Sequence, residues 1–371
     1  MYYIKINDVL YKLKTHSVPI HFIHDIGVHN ESRGSISVSK VILNDNINDV
    51  LSVELLICGN VYKLGKPLLV HRKHNLYTMY FEVENVFESY KEFISCFDND
   101  RFSSILTSFS TVDLCNLKCY YCSNSMNKHQ DSRQHDLYLS QIFITKIHKI
   151  VKSVLGDKFY AKYHCYMGGE PFIDRDMFFE YIKFFSQNDR FNSGDKMTTF
   201  QTYTNGTIPN SISDIFTKLV NSGLYEKYEL WVSIDSIDYK TSNRLATKKH
   251  QDDFINNLKS IPHQSNVDVC FNIMYINDDI FKDTINYIKS LGFNKFKVSF
   301  DDENDDELYN DWRVNKRNEL LKLDCVTDMK LMKEHNYYMI PVAFNIKELG
   351  KTVCRLSIAY KSDENVVRIY K

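Results

Sequence analysis

An α/β fold organised around a parallel sheet is predicted from three observations. From about residue 103, short β-branched and aromatic runs alternate with longer amphipathic stretches, the pattern of βαβ units. The segment before them is almost entirely strand-like, and the residues that could carry chemistry fall where strands of the alternating region end. At 371 residues the chain is long enough for one large core plus a smaller unit, or for two ordinary domains.

The first unit, residues 1–102, reads as a β-rich N-terminal domain. "GSISVSKVIL" alternates at Ile36 and Val38, and "LYTMYFEV" alternates at Tyr77, Met79, Phe81 and Val83. The turn-forming stretches "HNESRGS", "NDNIND" and "CGN" separate such runs. "NVFESYKEFISCF" then sets Val86, Phe87, Tyr90, Phe93, Ile94 and Phe97 at helical spacing, a connector into the next unit.

Residues 103–302 hold the core. Six strands are expected in "SSILTSFSTV", "FYAKYHCYM", "MTTFQTYT", "YELWVSID", "VDVCFNIMYI" and "NKFKVSF", with helices near 137–155, 175–187, 210–222, 239–260 and 279–291. Right-handed crossovers between parallel strands make either an open doubly wound sheet or a partial barrel. The acidic run "DDENDDE" is a solvated loop opening a C-terminal extension, residues 303–371. There "NDWRVNKRNELLKL" reads as helix, "YYMIPVAFNI" as extended, and "CRLSIAYKSDENVVRIYK" as a hairpin turning at "KSDEN".

Formal net charge is −1, from 46 basic and 47 acidic residues, which gives no electrostatic case for nucleic acid or an anionic membrane as partner. The N-terminus lacks a signal-like apolar region, and runs such as "VELLIC" fall far short of the ~20 residues that span a bilayer. A soluble, cytoplasmic protein is expected. In that reducing setting the nine cysteines are poorly explained by disulfides. Six of them, at 58, 96, 165, 270, 325 and 354, are scattered singly and read as buried thiols.

The other three, Cys115, Cys119 and Cys122, crowd into "CNLKCYYC" directly after the first core strand. Polar neighbours Asn116, Lys118, Ser123 and Asn124 argue against chance burial. A redox pair of Cys119 and Cys122 leaves Cys115 unexplained. Structural zinc wants four protein ligands, and the nearest further donor, His129, lies seven residues on. An iron–sulfur cluster on three thiolates leaves one iron open for a ligand that does chemistry.

These residues resemble the radical S-adenosylmethionine (SAM) superfamily, whose signature is C-x3-C-x-aromatic-C, here with Tyr121 as the aromatic. Three further stretches resemble the family in order at successive strand ends. They are "GGEP" (Gly168, Gly169, Glu170, Pro171), "TNGT" with Asn205, and "SIDS" with Ser233 and Asp235. The resemblance covers roughly residues 105–300 and implies a partial (β/α)6 TIM-like barrel. It implies one [4Fe–4S] cluster held by Cys115, Cys119 and Cys122, and SAM chelating the open iron. It also implies Tyr121 beside the adenine, backbone at Gly168 and Gly169 receiving the methionine amino group, and Glu170 fixing the loop. Ser233 and Asp235 are expected at the ribose or carboxylate, Arg244 at the SAM carboxylate, and Asn205 among the lining. Reductive cleavage would yield a 5′-deoxyadenosyl radical that abstracts a hydrogen atom.

The motif combination most resembles the branch of peptide and protein maturases with SPASM or twitch C-terminal regions. Only Cys325 and Cys354 follow the core, so an auxiliary cluster is not expected, and the C-terminal extension is expected to cap the barrel mouth. The resemblance implies a ribosomally made precursor peptide as substrate and a reductant such as flavodoxin or ferredoxin; the β-rich N-terminal unit suits a docking surface for such a peptide and equally a dimerisation module or a lid. A small metabolite or nucleoside substrate is the enzymatic alternative; an iron–sulfur or zinc regulatory protein is the non-enzymatic one. Should the reaction be an epimerisation, a thiol must return hydrogen, with Cys165, Cys270, Cys325 and Cys354 available.

Overall fold

The computed structural model describes residues 2–12, 20–24, 34–43, 49–57, 59–73, 76–97, 102–109, 115–119, 137–156, 161–166, 169–186, 199–223, 225, 227–261, 266–300, 307–326, 329–331, 337–346 and 351–361. The N-terminal unit contributes β1 (Tyr2–Ile6), β2 (Val9–Lys12), β3 (Ile20–His24), β4 (Gly34–Ile42), β5 (Val53–Ile57), β6 (Asn60–Gly65), β7 (Leu69–Lys73), β8 (Leu76–Val83) and helix α1 (Val86–Ser95). The β1–β2 hairpin turns on Asn7 and Asp8, both at positive φ (48° and 67°), a two-residue turn whose twist matches its strands. β2, β1, β5 and β6 form one antiparallel sheet in that order.

Helix α1 forms as its spacing predicts, capped by the Asn85 side chain, which accepts from the N–H groups of Phe87 and Glu88. Its buried face joins the two N-terminal sheets. Phe93 packs against Phe22 of β3 at 5.7 Å and Tyr62 of β6 at 5.4 Å between ring centroids. The Tyr62 hydroxyl donates to the carbonyl of Ser89 at 3.0 Å.

The core strands are β9 (Phe102–Phe109), β10 (Ala161–Tyr166), β11 (Thr199–Thr204), β12 (Lys227–Ile234), β13 (Val267–Met274) and β14 (Lys295–Ser299). Between them run α2 (Leu137–Leu155), α3 (Arg175–Ser186), α4 (Ser211–Ser222), α5 (Lys248–Lys259) and α6 (Asp278–Ser290). All six strands pair in parallel, each with its sequence neighbour, with no reversal of order. Right-handed crossovers taken always in one direction set every helix on the same face. That is the winding of a partial barrel, and it decides against the doubly wound alternative.

Strand alternation separates two faces. Phe200, Leu230, Val232, Phe271, Ile273 and Phe296 join the hydrophobic core under the helices. On the other face, register aligns Gln201–Glu229–Asp268, then Tyr203–Trp231–Cys270, then Ser233–Asn272–Lys297. Its lower end is closed by ions: Lys227 lies 2.7 Å from Asp268 and 3.3 Å from Glu229, and Lys295 also pairs with Asp268.

Two expectations need correction. Helix α5 starts at Lys248, not 239, because Thr247 caps it and the stretch before it is wound around Asp235. The C-terminal hairpin is formed by β16 (Tyr337–Ile346) with β17 (Lys351–Lys361), following α7 (Glu307–Leu320) and the short β15 (Lys330–Leu331). The proposed turn at "KSDEN" lies, after Lys361, outside the described residues. Instead of lying over the strand ends, β17 pairs antiparallel with β9 and β16 pairs parallel with β3. The open edge of β9 is thereby covered by backbone hydrogen bonding. A 13-stranded sheet results, in the order β15-β14-β13-β12-β11-β10-β9-β17-β16-β3-β4-β8-β7.

Candidate active site

Chemistry-bearing residues gather where β9, β10, β11 and β12 end. Of the cysteine loop the structure describes residues 115–119; Tyr121 and Cys122 lie outside the described residues, as does Gly168. Cys115 is exposed and Cys119 buried. The Cys115 sulfur accepts from the backbone N–H of Leu117 at 3.5 Å and from the Asn205 amide at 3.7 Å. Burial of the sulfur pushes its pKa up, aided by the nearby Glu170 and Cys119, while those two donors oppose the rise.

Asn205 links this loop to the next strand end. Its Nδ2 also donates to Asn116 Oδ1 at 2.9 Å, and its Oδ1 accepts from the N–H and hydroxyl of Thr207 at 2.8 and 2.6 Å. Asn116 returns a bond to Thr207 Oγ1 at 2.8 Å.

Glu170 is the hub. It is 2% exposed, and its carboxylate accepts from the Phe172 N–H at 3.2 Å, the Thr204 hydroxyl at 2.8 Å and the Asn205 N–H at 2.6 Å. The first bond starts the 3-10 turn at Pro171–Ile173, with Pro171 set where no N–H is needed. The other two fasten the end of β11. Burial pushes the carboxyl pKa up to about 7, opposed by these three donors and by the charge of Arg244.

The "TNGT" turn needs its glycine. Gly206 has φ +70°, and a Cβ there would stand 3.0 Å from the Phe254 ring. The buried Asn257 of α5 holds the turn from behind, donating to the carbonyls of Gly206 and Ile208 at 2.8 and 2.7 Å. Gly206→Ala is expected to cost roughly 2–4 kcal/mol from backbone strain and overlap, read as a lower midpoint in chemical unfolding.

Asp235 is 1% exposed and directs its carboxylate into its own loop. It accepts from the Ser236 N–H at 2.8 Å, the Ser242 hydroxyl at 2.6 Å and the Asn243 N–H at 2.8 Å. Ser242 in turn accepts from the N–H groups of Arg244 and Leu245 at 3.0 and 2.8 Å. These bonds make Asp235 an organiser of residues 236–245, and Arg244 is carried by that loop. Asp235→Ala should destabilise by roughly 2–4 kcal/mol through orphaned donors, with Asp235→Asn milder, in thermal melts of both variants. Ser233 is half-buried on the inner face of β12.

The sequence reading quoted Asn116 and the threonines of "TNGT", Thr204 and Thr207, without seeing their bonds, and missed Asn257 and the inner-face residues Trp231 and Asn272. Strand alternation held the signal for Trp231, since counting back by two from Asp235 and Ser233 reaches it; Asn272 lies on β13 and joins that face only through register with Ser233. The thiols sort by place as well. Cys270 is buried on the inner face apart from the hydrophobic core, whereas Cys325 packs against that core. The side chains of Cys165 and Cys354 lie outside the described residues.

Residues 109–291 match the family model described as "Radical SAM superfamily". This region is a radical SAM domain. The match starts at the last residue of β9 and ends just after α6, so it covers the cysteine loop and the strand ends described above. Radical SAM domains use a [4Fe–4S] cluster and SAM. The residues present fit that pair: one loop supplies the thiols, and two N–H donors reach the Cys115 sulfur, as an anionic cluster on thiolates requires.

Among curated proteins none matches the chain. Solved structures similar to it include Streptococcus suis SuiB bound to S-adenosylmethionine, 14% identical with TM-score 0.43, over 63% of this chain and 51% of that one. Native anSMEcpe with bound AdoMet is 19% identical with TM-score 0.35, over 58% and 63%. TYW1 with a lysine–pyruvate adduct is 16% identical with TM-score 0.38, over 67% and 77%. Similarity at this level concerns the fold alone, and the chain spans about half the length of SuiB, at 51%.

Proposed function

We propose that this chain is a radical SAM enzyme that modifies a peptide, and that the strand-end assembly around Glu170 is its SAM-binding site. One observation carries the first part: the cysteine loop, the Glu170 turn and the Asn205 turn are hydrogen-bonded to one another at the C-terminal ends of adjacent parallel strands. Cys115, Cys119 and Cys122 would hold the cluster. Together with SAM, the bound cluster supplies a 5′-deoxyadenosyl radical able to take hydrogen from unactivated carbon. Glu170 holds the β10 loop against β11, so that the backbone at Gly169 keeps its position when a ligand arrives. Asn205 steadies the Cys115 sulfur, and Ser233 offers a hydroxyl from the inner face.

The peptide reading rests on the combination of "GGEP", "TNGT" and "SIDS". It is supported by β7, the end strand of the long sheet among the described residues, where Leu68 and Leu69 are exposed and an extended segment could add as a strand. Among the described residues no helix is long and apolar enough to cross a membrane.

Anaerobic reconstitution followed by dithionite and SAM should give about four irons per chain and release 5′-deoxyadenosine. A preparation that binds zinc and never cleaves SAM would sink the enzyme reading. For the peptide, co-expression with small proteins encoded beside the gene should give a product of altered mass or stereochemistry. Unchanged mass together with unchanged configuration in all of them counts against it.

A further inference from the structure

The inner face of β12 and β13 carries donors that have no partner among the described residues. Trp231 is 8% exposed, lies outside the hydrophobic core, and has its indole Nε1–H without a hydrogen-bond partner among the described residues. A buried indole N–H ordinarily finds one. Trp231 is the register partner of Cys270, and two residues further along the same face of β13 stands Asn272, itself the partner of Lys297. Asn272 Oδ1 accepts from the Ser299 hydroxyl at 2.6 Å, which leaves its amide donors for something else. The Tyr203 ring flanks Trp231 at 5.4 Å and closes the other side.

The acceptors in the row below are engaged: Glu229 takes Lys227 at 3.3 Å and Gln201 at 3.3 Å, and Asp268 takes Lys227 and Lys295. What the face presents is mainly donors, an indole N–H and amide N–H groups, with the positive charge of Lys297 on the neighbouring strand and the Ser233 hydroxyl, able to donate or accept, in the row of Asn272. A carboxylate matches this excess of donors and the charge of Lys297 better than a primary amide, whose N–H groups would compete for few acceptors.

We propose that Trp231 and Asn272 form a substrate subsite that receives a carboxylate, an acidic side chain or a chain terminus, on the inner wall of the barrel. This rests on the radical SAM reading for what the subsite serves, but its ligand chemistry does not depend on it. Cys270, the register partner of Trp231, would then lie beside the bound group.

The chain has only two tryptophans, so holoprotein labelled with 5-fluorotryptophan gives two fluorine resonances, assigned with Trp312→Phe. Trp312 is 42% exposed on α7, and its replacement should be tolerated. With saturating SAM present, the Trp231 resonance is expected to shift saturably with N-acetylglutamate amide, and about tenfold more weakly with the glutamine analogue. Succinate-capped and free-carboxyl dipeptides separate a side chain from a chain terminus. Asn272→Ala should weaken the response to the glutamate probe by about tenfold. A Trp231 resonance that ignores the carboxylate probes, or follows both amino-acid analogues equally, overturns the proposal. So does an Asn272→Ala protein that loses SAM cleavage, which would assign the row to SAM. A wild-type protein that never cleaves SAM counts against the radical SAM reading, and the fluorine titration still decides the subsite.

Discussion

Cys115→Ala is expected to abolish both cluster assembly and the formation of 5′-deoxyadenosine. A thiolate is itself the bond to iron, and alanine offers no atom that could replace it. Asn205→Ala sets the scale for a lesser loss. It removes an N–H donor from the Cys115 sulfur and breaks the bond to Asn116, but leaves every thiol in place. Outer partners of metal ligands typically contribute ~10–100-fold in affinity or activity, so a defect of that order is expected for Asn205→Ala. Cys325→Ala, at a thiol packed against the core near α6, should match wild type. Iron and sulfide per chain, with 5′-deoxyadenosine measured by chromatography, would show three graded outcomes. Equal loss in the Cys115 and Cys325 variants would mean that the thiols matter for folding and not for ligation.

Replacing Glu170 should have the next largest effect, and it should depend on pH. In Glu170→Ala three donors lose their acceptor inside the protein, namely Phe172 N–H, Thr204 hydroxyl and Asn205 N–H. At ~1–3 kcal/mol for each buried group left unsatisfied, and with Thr204 able to turn, a cost of about 3–5 kcal/mol is expected. Glu170→Gln keeps the shape and one acceptor oxygen and should cost about 1–2 kcal/mol. Burial raises the folded-state pKa to about 7, against an ordinary value of 4.5. Between those values the native chain holds a proton that the unfolded chain has released. The contribution of Glu170 to stability is therefore fully present below about pH 4.5 and is lost as pH rises to about 7. The change amounts to about 3 kcal/mol across that window. Glu170→Gln should lack it, so the variant's deficit in denaturant midpoint should shrink and then reverse as pH rises from 5 to 7. Parallel profiles for the two proteins would refute the assignment.

Much of the core was legible before the structure. All six strands between 102 and 299 form where the β-branched runs lie, and the helices follow the 3.6-residue spacing, because both are local consequences of side-chain periodicity. The exception is instructive. The stretch 239–247 has helical spacing but is captured by Asp235, whose three bonds to residues 236–243 come from the preceding strand end. Helical spacing lost to a buried carboxylate within eight residues. The partners of β17 were not legible for a separate reason, since its second partner, β9, lies more than two hundred residues earlier.

By itself the sequence determined the βαβ rhythm, the three clustered thiols and the order of strand-end motifs, since each depends on residue type and spacing along one stretch of chain. Only the tertiary structure decided that Glu170 fastens the β10 loop to β11 and that Asn205 reaches the Cys115 sulfur. It also decided that Trp231 and Asn272 share one wall and that the C-terminal hairpin joins the N-terminal unit to the barrel sheet. Those depend on strand register and on pairings between distant segments, which leave no trace in local periodicity because any one strand is equally consistent with several neighbours.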